Sequence, residues 1–276
     1  MLRKKSFVLN PSNEVERDSP MRIAVCCKGV PIEADPDTVE IINGDMGFRD
    51  TDFDINELDA YAIEAALALK ERYGAETFAL SLGPLRVQEA LYFAVARGID
   101  EVFRVEGETS RPELIAIGLA PTLKKLKPDL VLVGVQSEDW MGGEVGIYIG
   151  QALEMATAYA VTEITEVHNG KARVKKELGG GKIAEVLLEL PALLCVQSGI
   201  QPLQYLSTGK RQKARKNPIR RDGMLDLENA LAENAGITDY EIQGVDEPSK
   251  ERRAEMISGD RTEVVSRLLK IIANTL

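Results

Sequence analysis

The stretch "PDLVLVGVQSEDWMGGEVG", residues 128–146, combines an apolar strand, a glycine-containing turn and the start of a helix. In a parallel α/β sheet, ligands bind beyond the carboxyl ends of the strands, where the N-termini of helices present free N–H groups. This turn nevertheless carries three carboxylates, Glu138, Asp139 and Glu144, and no Lys or Arg. The order of elements therefore indicates a ligand-binding edge, while the charge of the turn does not suggest a phosphate.

Two glycines, Gly142 and Gly143, allow the backbone of the turn to approach a ligand closely. The amides of Gly143, Glu144 and Val145 lead into the next helix, whose dipole favours an anion even without a Lys side chain. The spacing alone allows both an anion-binding site and a plain connection between strand and helix. It matches neither the P-loop pattern nor the dinucleotide fingerprint, so ATP hydrolysis and ordinary dinucleotide binding lose support.

Strands and helices alternate on both sides of this stretch, which predicts parallel βαβ units with right-handed crossovers. A polar segment over 32–56 is expected to contain a short hairpin, and Asn56 is expected to cap the helix that follows it. The predicted strands cover residues 21–27, 76–84, 101–107 and 128–134, and the predicted helices cover residues 57–74, 86–98, 111–127 and 144–156.

The pattern changes after the last of these helices. Residues 160–197 read as strands joined by tight turns at 169–170 and 179–181, which predicts an antiparallel addition. The "GGGK" at 179–182 lies between two β-like runs and is therefore interpreted as a hairpin turn rather than a phosphate loop. We expect three parts: a flexible N-terminal extension (1–20), an α/β body (21–223), and a C-terminal arm (224–276) that ends in an amphipathic helix.

Composition argues against several classes of function. The net charge of −10 does not suit a general nucleic-acid binder. With a single histidine, His168, beside a predicted turn, a Ser-His-Asp apparatus and a tetrahedral zinc site are both improbable. Three cysteines (Cys26, Cys27 and Cys195) imply no disulfide framework, which fits a reducing cytoplasm. The sequence has no apolar run of about 18 residues, so it predicts no membrane span.

A basic segment, "KRQKARKNPIRR", covers residues 210–221 of this acidic chain. It could recognise an acidic partner or a phosphate, or it could be a solvated arm. The apolar residues just before it, Leu203, Tyr205 and Leu206, favour a docking loop for a transient partner, because exposed apolar tips flanked by charge suit such an encounter.

Taken together, these stretches resemble the β subunit of electron-transfer flavoproteins, and the likeness extends from residue 21 to about residue 276. The motifs occur in the family's order: "MRIAVCCKGVP" (21–31), "NELDAYAIEAAL" (56–67), "ALSLGP" (79–84), "GVQSEDWMGGEVG" (134–146), and "LPALLCVQSGIQP" (190–202) followed by "KARKNPI" (213–219).

The resemblance implies an adenine-nucleotide α-hydrolase-like α/β fold and an electron carrier rather than an enzyme. It implies a heterodimer with an α subunit that holds most of the FAD site, and AMP in this subunit. The recognition loop, at about 198–216, would dock onto a flavin dehydrogenase of the acyl-CoA type, and the C-terminal arm would wrap the partner subunit. One alternative is a bifurcating β subunit with a second FAD that uses NADH. Another, from a different class, is a nucleotide-binding regulatory module of the stress-protein type.

The resemblance also assigns residues by position. Contacts with the nucleotide are expected from Cys26, Asn56, Glu57, Leu58, Asp59, Leu82, Gly134, Gln136, Asp139, Gly142, Gly143, Glu144 and Val145. Partner recognition is expected from Leu203, Tyr205, Leu206, Lys213, Arg215 and Lys216, with the docking anchor near Leu206.

Three positions depart from the family's pattern in the turn. Gly142 replaces a Thr and removes a hydroxyl donor, and Glu144 replaces a Gln and places a carboxylate near an anion. Trp140 replaces a small residue and could stack on an adenine or block it. These departures predict weakened phosphate affinity or a changed ligand.

Overall fold

The computed structural model describes residues 20–32, 39–42, 45–48, 52–226, 229–230 and 256–275. The chain divides into two compact units, residues 1–243 and 244–276. The predicted N-terminal extension lies outside the described residues except for Pro20.

The first unit is built on a mixed sheet that contains nine strands within the described residues: β1 (Arg22–Cys26), β6 (Glu76–Leu82), β7 (Glu101–Glu106), β8 (Leu130–Gly134), β9 (Ala156–His168), β10 (Lys171–Gly179), β11 (Lys182–Glu189), β12 (Ala192–Val196) and β13 (Arg220–Met224). Their order in the sheet is β11-β10-β9-β12-β8-β1-β6-β7-β13. Neighbouring strands from β9 to β13 in this order are parallel, whereas β10 pairs antiparallel with β9 and with β11. The predicted fold class, a largely parallel α/β sheet with an antiparallel addition, is confirmed.

Helices cover both faces of this sheet. α1 (Glu57–Tyr73) and α2 (Gln88–Arg97) pack on one face, and α3 (Pro112–Leu126) and α4 (Val145–Ala152) pack on the other. A short helix, α5 (Thr208–Ala214), follows β12. Strands such as β8 and β12 are buried almost throughout, because helices on both faces remove their side chains from water.

Smaller strands lie between β1 and α1. Strand β2 (Gly29–Pro31) pairs antiparallel with β5 (Phe53–Ile55), and β3 (Val39–Ile42) forms a hairpin with β4 (Asp45–Phe48). The hairpin predicted within residues 32–56 is thereby confirmed.

Both tight turns of the antiparallel addition are also confirmed. Asn169 and Gly170 adopt left-handed backbone angles between β9 and β10, and residues 179–181 do so between β10 and β11. The "GGGK" segment is therefore a hairpin turn, as its β-like flanks indicate.

Several elements differ from the expectation. Strand β12 falls within residues 160–197, which were predicted to form an antiparallel addition, but it pairs parallel with both β8 and β9 inside the sheet. The helix α5 was not predicted within the recognition loop. The helix predicted over residues 144–156 spans only Val145–Ala152, because Glu154 takes a left-handed φ of 54° and the chain enters β9 at Ala156. Strand β13 was not predicted. Its sequence, "RRDGM", is polar because the strand is at the edge of the sheet and pairs only with β7.

In the second unit, α6 (Arg261–Thr275) is the amphipathic helix that the sequence predicts. Its apolar side chains, among them Val265, Leu269 and Ile272, are exposed. No helix in the described parts of the chain is both long enough and apolar enough to cross a membrane.

Candidate functional site

A cavity of about 300 Å³ lies at the carboxyl ends of β1, β6 and β8, the edge at which the sequence places a ligand. The first turns of α1, α3 and α4 and the segment between β8 and α4 complete its wall. The lining residues are Cys26, Cys27, Lys28, Asn56, Asp59, Leu82, Thr109, Ser110, Pro112, Ile115, Leu119, Val133, Gly134, Val135, Gln136, Ser137, Trp140, Gly142, Gly143, Glu144, Val145 and Gly146.

Most of the predicted nucleotide-binding residues are brought together in this wall: Cys26, Asn56, Asp59, Leu82, Gly134, Gln136, Gly142, Gly143, Glu144 and Val145. Glu57, Leu58 and Asp139 are not among the lining residues. Glu57 is exposed at the start of α1, and Leu58 packs beside the core. Asp139 forms an ion pair with a lining residue, Lys28. Contact with a nucleotide stays a prediction for all of these residues.

Several lining residues were missed from the sequence, notably Lys28, Thr109, Ser110 and Ser137. Each follows the carboxyl end of a parallel strand: Lys28 follows β1, Thr109 and Ser110 follow β7, and Ser137 follows β8. Because those ends meet at one edge of the sheet, strand order could have indicated these positions.

Asp59, in the first turn of α1, connects the ends of two strands. Its carboxylate accepts a hydrogen bond from the backbone N–H of Lys28 at 2.9 Å and another from Gly134 at 2.8 Å. Burial raises the pKa of Asp59 to about 6, and the hydrogen bonds from Lys28 and Gly134 oppose that rise. Asp59 therefore connects three segments of the cavity wall: α1, the residue after β1 and the end of β8. Its carboxyl group has a pKa of about 6.

Asn56 is at the N-cap position of α1, but its side chain does not cap the helix, which corrects the expectation. Its amide donates to the carbonyl of Gln136 at 3.0 Å and accepts from the backbone N–H of Glu138 at 3.1 Å. Glu138 supplies the cap instead, because its carboxylate accepts from the N–H of Glu57 at 2.7 Å. This exchange attaches the turn after β8 to the start of α1.

The positive charge absent from the turn comes from Lys28, which follows β1. Its ammonium lies 2.7 Å from a carboxylate oxygen of Asp139 and 3.3 Å from the hydroxyl of Ser137. One of the three carboxylates in the turn is thus paired with Lys28, and another, Glu138, caps α1.

The glycine turn is shaped by a close backbone approach at Gly143. Its φ of 70° lies in the left-handed region, and a Cβ there would lie 2.7 Å from the hydroxyl of Tyr159 and 3.0 Å from the carbonyl oxygen of Val135. The Tyr159 hydroxyl donates to that same carbonyl at 3.2 Å. Only glycine fits this position, and it places no side chain over the backbone of the turn.

Comparison with known proteins accords with this geometry. Residues 48–221 match the family model described as "Electron transfer flavoprotein domain". The chain is 30% identical over 234 residues to the electron transfer flavoprotein subunit beta of Methylophilus methylotrophus, which covers 80% of this chain and 86% of that protein. The chain belongs to the electron transfer flavoprotein β-subunit family.

A second relative is the caffeyl-CoA reductase-Etf complex subunit CarD of Acetobacterium woodii, 33% identical over 209 residues, or 72% of this chain and 77% of that protein. The family assignment confirms the resemblance, and it does not support the alternative of a stress-protein module. β subunits of electron transfer flavoproteins pair with an α subunit and serve as electron carriers.

The cysteines of this β subunit are not suited to redox chemistry of their own. All three are free and buried. Burial raises the pKa of Cys195 to about 12, and burial together with the charge of Asp59 raises the pKa of Cys26 and of Cys27 well above the ordinary value. A protonated thiol is a poor nucleophile, so the two cysteines that line the cavity serve as wall residues.

The predicted docking residues of the β subunit differ in exposure. Tyr205 is 87% exposed and Leu203 is 40% exposed, whereas Leu206 is half-buried. Lys213 and Lys216 are exposed, but the guanidinium of Arg215 lies 2.8 Å from the carboxylate of Glu89 on α2. The loop thus presents apolar and cationic groups while an arginine ties it to the body.

Proposed function

We propose that this chain is the β subunit of a heterodimeric electron-transfer flavoprotein that passes electrons from a flavin dehydrogenase, of the acyl-CoA type, to a downstream acceptor. In this proposal the α subunit holds most of the FAD site, and the cavity described above holds an AMP-type nucleotide. Free, buried cysteines accord with a cytoplasmic location.

The observation that carries the nucleotide proposal is the wall of the cavity. Its glycine turn presents backbone N–H groups at the start of α4, which suits a phosphate, and Trp140 and Leu82 supply apolar surface for a base. The cavity volume is near the lower limit of the roughly 300–1,000 Å³ that ligand sites occupy. A small cavity favours a mononucleotide over a dinucleotide.

Co-expression with the neighbouring α subunit tests this function. We expect a yellow heterodimer with about one FAD per complex, because one flavin site is shared, and AMP in the extract of the denatured complex. The measurement is chromatographic separation and quantification of the released nucleotides. A β chain that stays monomeric when co-expressed with the α subunit would contradict the proposal.

The second candidate is a bifurcating β subunit with a second FAD that uses NADH. The observation that favours it is the 33% identity to a subunit of a caffeyl-CoA reductase-Etf complex. Flavin content separates the two candidates: about two FAD per heterodimer, without AMP, would support the bifurcating form.

The docking loop makes a further prediction about electron transfer. Replacing Tyr205 or Leu206 with Ala should slow transfer from the dehydrogenase about tenfold without releasing flavin, because anchor residues at the centre of an interface carry much of its binding energy. Stopped-flow reduction of the bound flavin measures the rate. Leu178→Ala, at an exposed leucine of the β10–β11 hairpin, is the matched control. Unchanged transfer in both loop variants would show that the loop is not the docking site.

A further inference from the structure

Among the described residues that line the cavity, one carries a positive charge. Lys28 carries the positive charge, whereas Asp59 and Glu144 are carboxylates of the same wall. An anionic ligand that enters this cavity therefore meets a single ammonium group, and the remaining attraction must come from backbone N–H groups.

The ammonium of Lys28 contacts both a residue that lines the cavity, Ser137, and a carboxylate that does not, Asp139. The side chain of Lys28 is 39% exposed, whereas that of Asp139 is 9% exposed. A lysine ammonium has three N–H donors. Within the described residues, one donates to Asp139 and another to Ser137, which leaves a third for a ligand.

Lys28 and the glycine turn flank the same short segment. Gly143 lies against the carbonyl of Val135 and near Cβ of Gln136, and the ammonium of Lys28 lies 3.3 Å from the hydroxyl of the next residue, Ser137. Lys28 and the glycine turn are thereby both close to the same three-residue segment of the wall, residues 135–137.

We propose that Lys28 contacts the phosphate of the nucleotide in this cavity and that Asp139 is its competing counter-ion. This inference rests on the proposed nucleotide site and names the residue that recognises the charge. Asp139 holds the ammonium in place but neutralises part of its charge. The affinity for phosphate is therefore lower than with an unpaired ammonium and higher than without Lys28. Asp139 thus acts on the ligand through Lys28.

The test compares AMP with adenosine, which lacks the phosphate. Affinities of both are measured by calorimetry on the heterodimer freed of nucleotide, for the wild type and for Lys28→Met, Asp139→Asn and Lys70→Met. Lys70 is the matched control because its ammonium also pairs with a carboxylate, that of Asp100, away from the cavity. The ratio of the two affinities reports on the phosphate, and general damage to the site weakens both ligands alike.

We expect Lys28→Met to reduce the preference for AMP over adenosine by about tenfold or more, since a charge-assisted hydrogen bond to phosphate is lost. Asp139→Asn should increase that preference, and Lys70→Met should leave it unchanged. An unchanged ratio in Lys28→Met, or a fall in both Lys28→Met and Asp139→Asn, would overturn the inference. A wild type that binds neither ligand would instead overturn the proposed nucleotide site, and this inference with it.

Discussion

Between about pH 3 and about pH 7 the free energy of unfolding of the wild type should fall, relative to that of an Asp59→Asn variant, by about 3 kcal/mol. The pKa of Asp59 is raised by burial from an ordinary 3.8 to about 6. Within that window the folded chain keeps a proton that the unfolded chain has released, so folding is favoured at the lower pH and the contribution is lost as the pH rises through the folded pKa. One pKa unit is worth about 1.4 kcal/mol, which sets the size of the effect.

Urea unfolding at a series of pH values, followed by circular dichroism, measures this dependence. Taking the difference between wild type and variant removes the contribution of the other carboxyl groups. The matched control is Glu71→Gln, which makes the equivalent change from carboxyl to amide at an exposed residue of the same helix. A wild-type minus Asp59→Asn difference that stays constant from about pH 3 to about pH 7 would contradict the buried, proton-binding role of Asp59.

Gly146→Ala should lower the free energy of unfolding by about 1–3 kcal/mol, the usual cost of overpacking a core. Gly146 is in the first turn of α4, where a Cβ would lie 2.5 Å from Sγ of Cys195 and 2.7 Å from Cγ2 of Val133. Neither neighbour can move freely, because both are buried in the sheet. The helix must therefore shift away from the sheet, and we expect nucleotide binding to weaken as well, since α4 forms part of the cavity wall.

Gly209→Ala is the matched control for this substitution. Gly209 is in α5, and a Cβ there would meet no atom within 4 Å, so stability should be unchanged or slightly higher. Adding Cys195→Ala to Gly146→Ala should recover part of the loss, because it removes the closest clashing atom. Thermal and urea unfolding of Gly146→Ala, Cys195→Ala and the double variant measures the coupling energy between residues 146 and 195. It should be about 0.5 kcal/mol or more. Strictly additive effects would show that the contact with Cys195 is not the cause.

Local patterns in the sequence were sufficient for most of the architecture. Runs of apolar, β-leaning residues predicted parallel strands and helical spacing predicted the helices. An Asn-Gly pair and a run of three glycines predicted the hairpin turns at residues 169–170 and 179–181. These features depend on residues close together in the chain, so local sequence patterns predict them. The family resemblance added the subunit type, which the comparisons confirm.

Where the sequence was wrong, a distant contact or an unusual backbone angle was responsible. The left-handed conformation of Glu154 ends α4 early, and the polar strand β13 exists because β7 offers it an unpaired edge. Asn56 has the residue type of a cap, but the loop after β8 competes for its amide and supplies Glu138 as the cap.

The charge at the carboxyl edge of the sheet also depends partly on the local sequence and partly on distant contacts. Strand order and glycine spacing in residues 128–146 indicate the edge of the sheet at which a ligand is expected, because the carboxyl ends of parallel strands converge whatever the side chains are. The residue that brings a cation to that edge is Lys28, separated from Asp139 by 111 positions in the chain. Only folding brings such distant groups to within a hydrogen bond of each other, and so the pairing of charges in the cavity belongs to the tertiary structure.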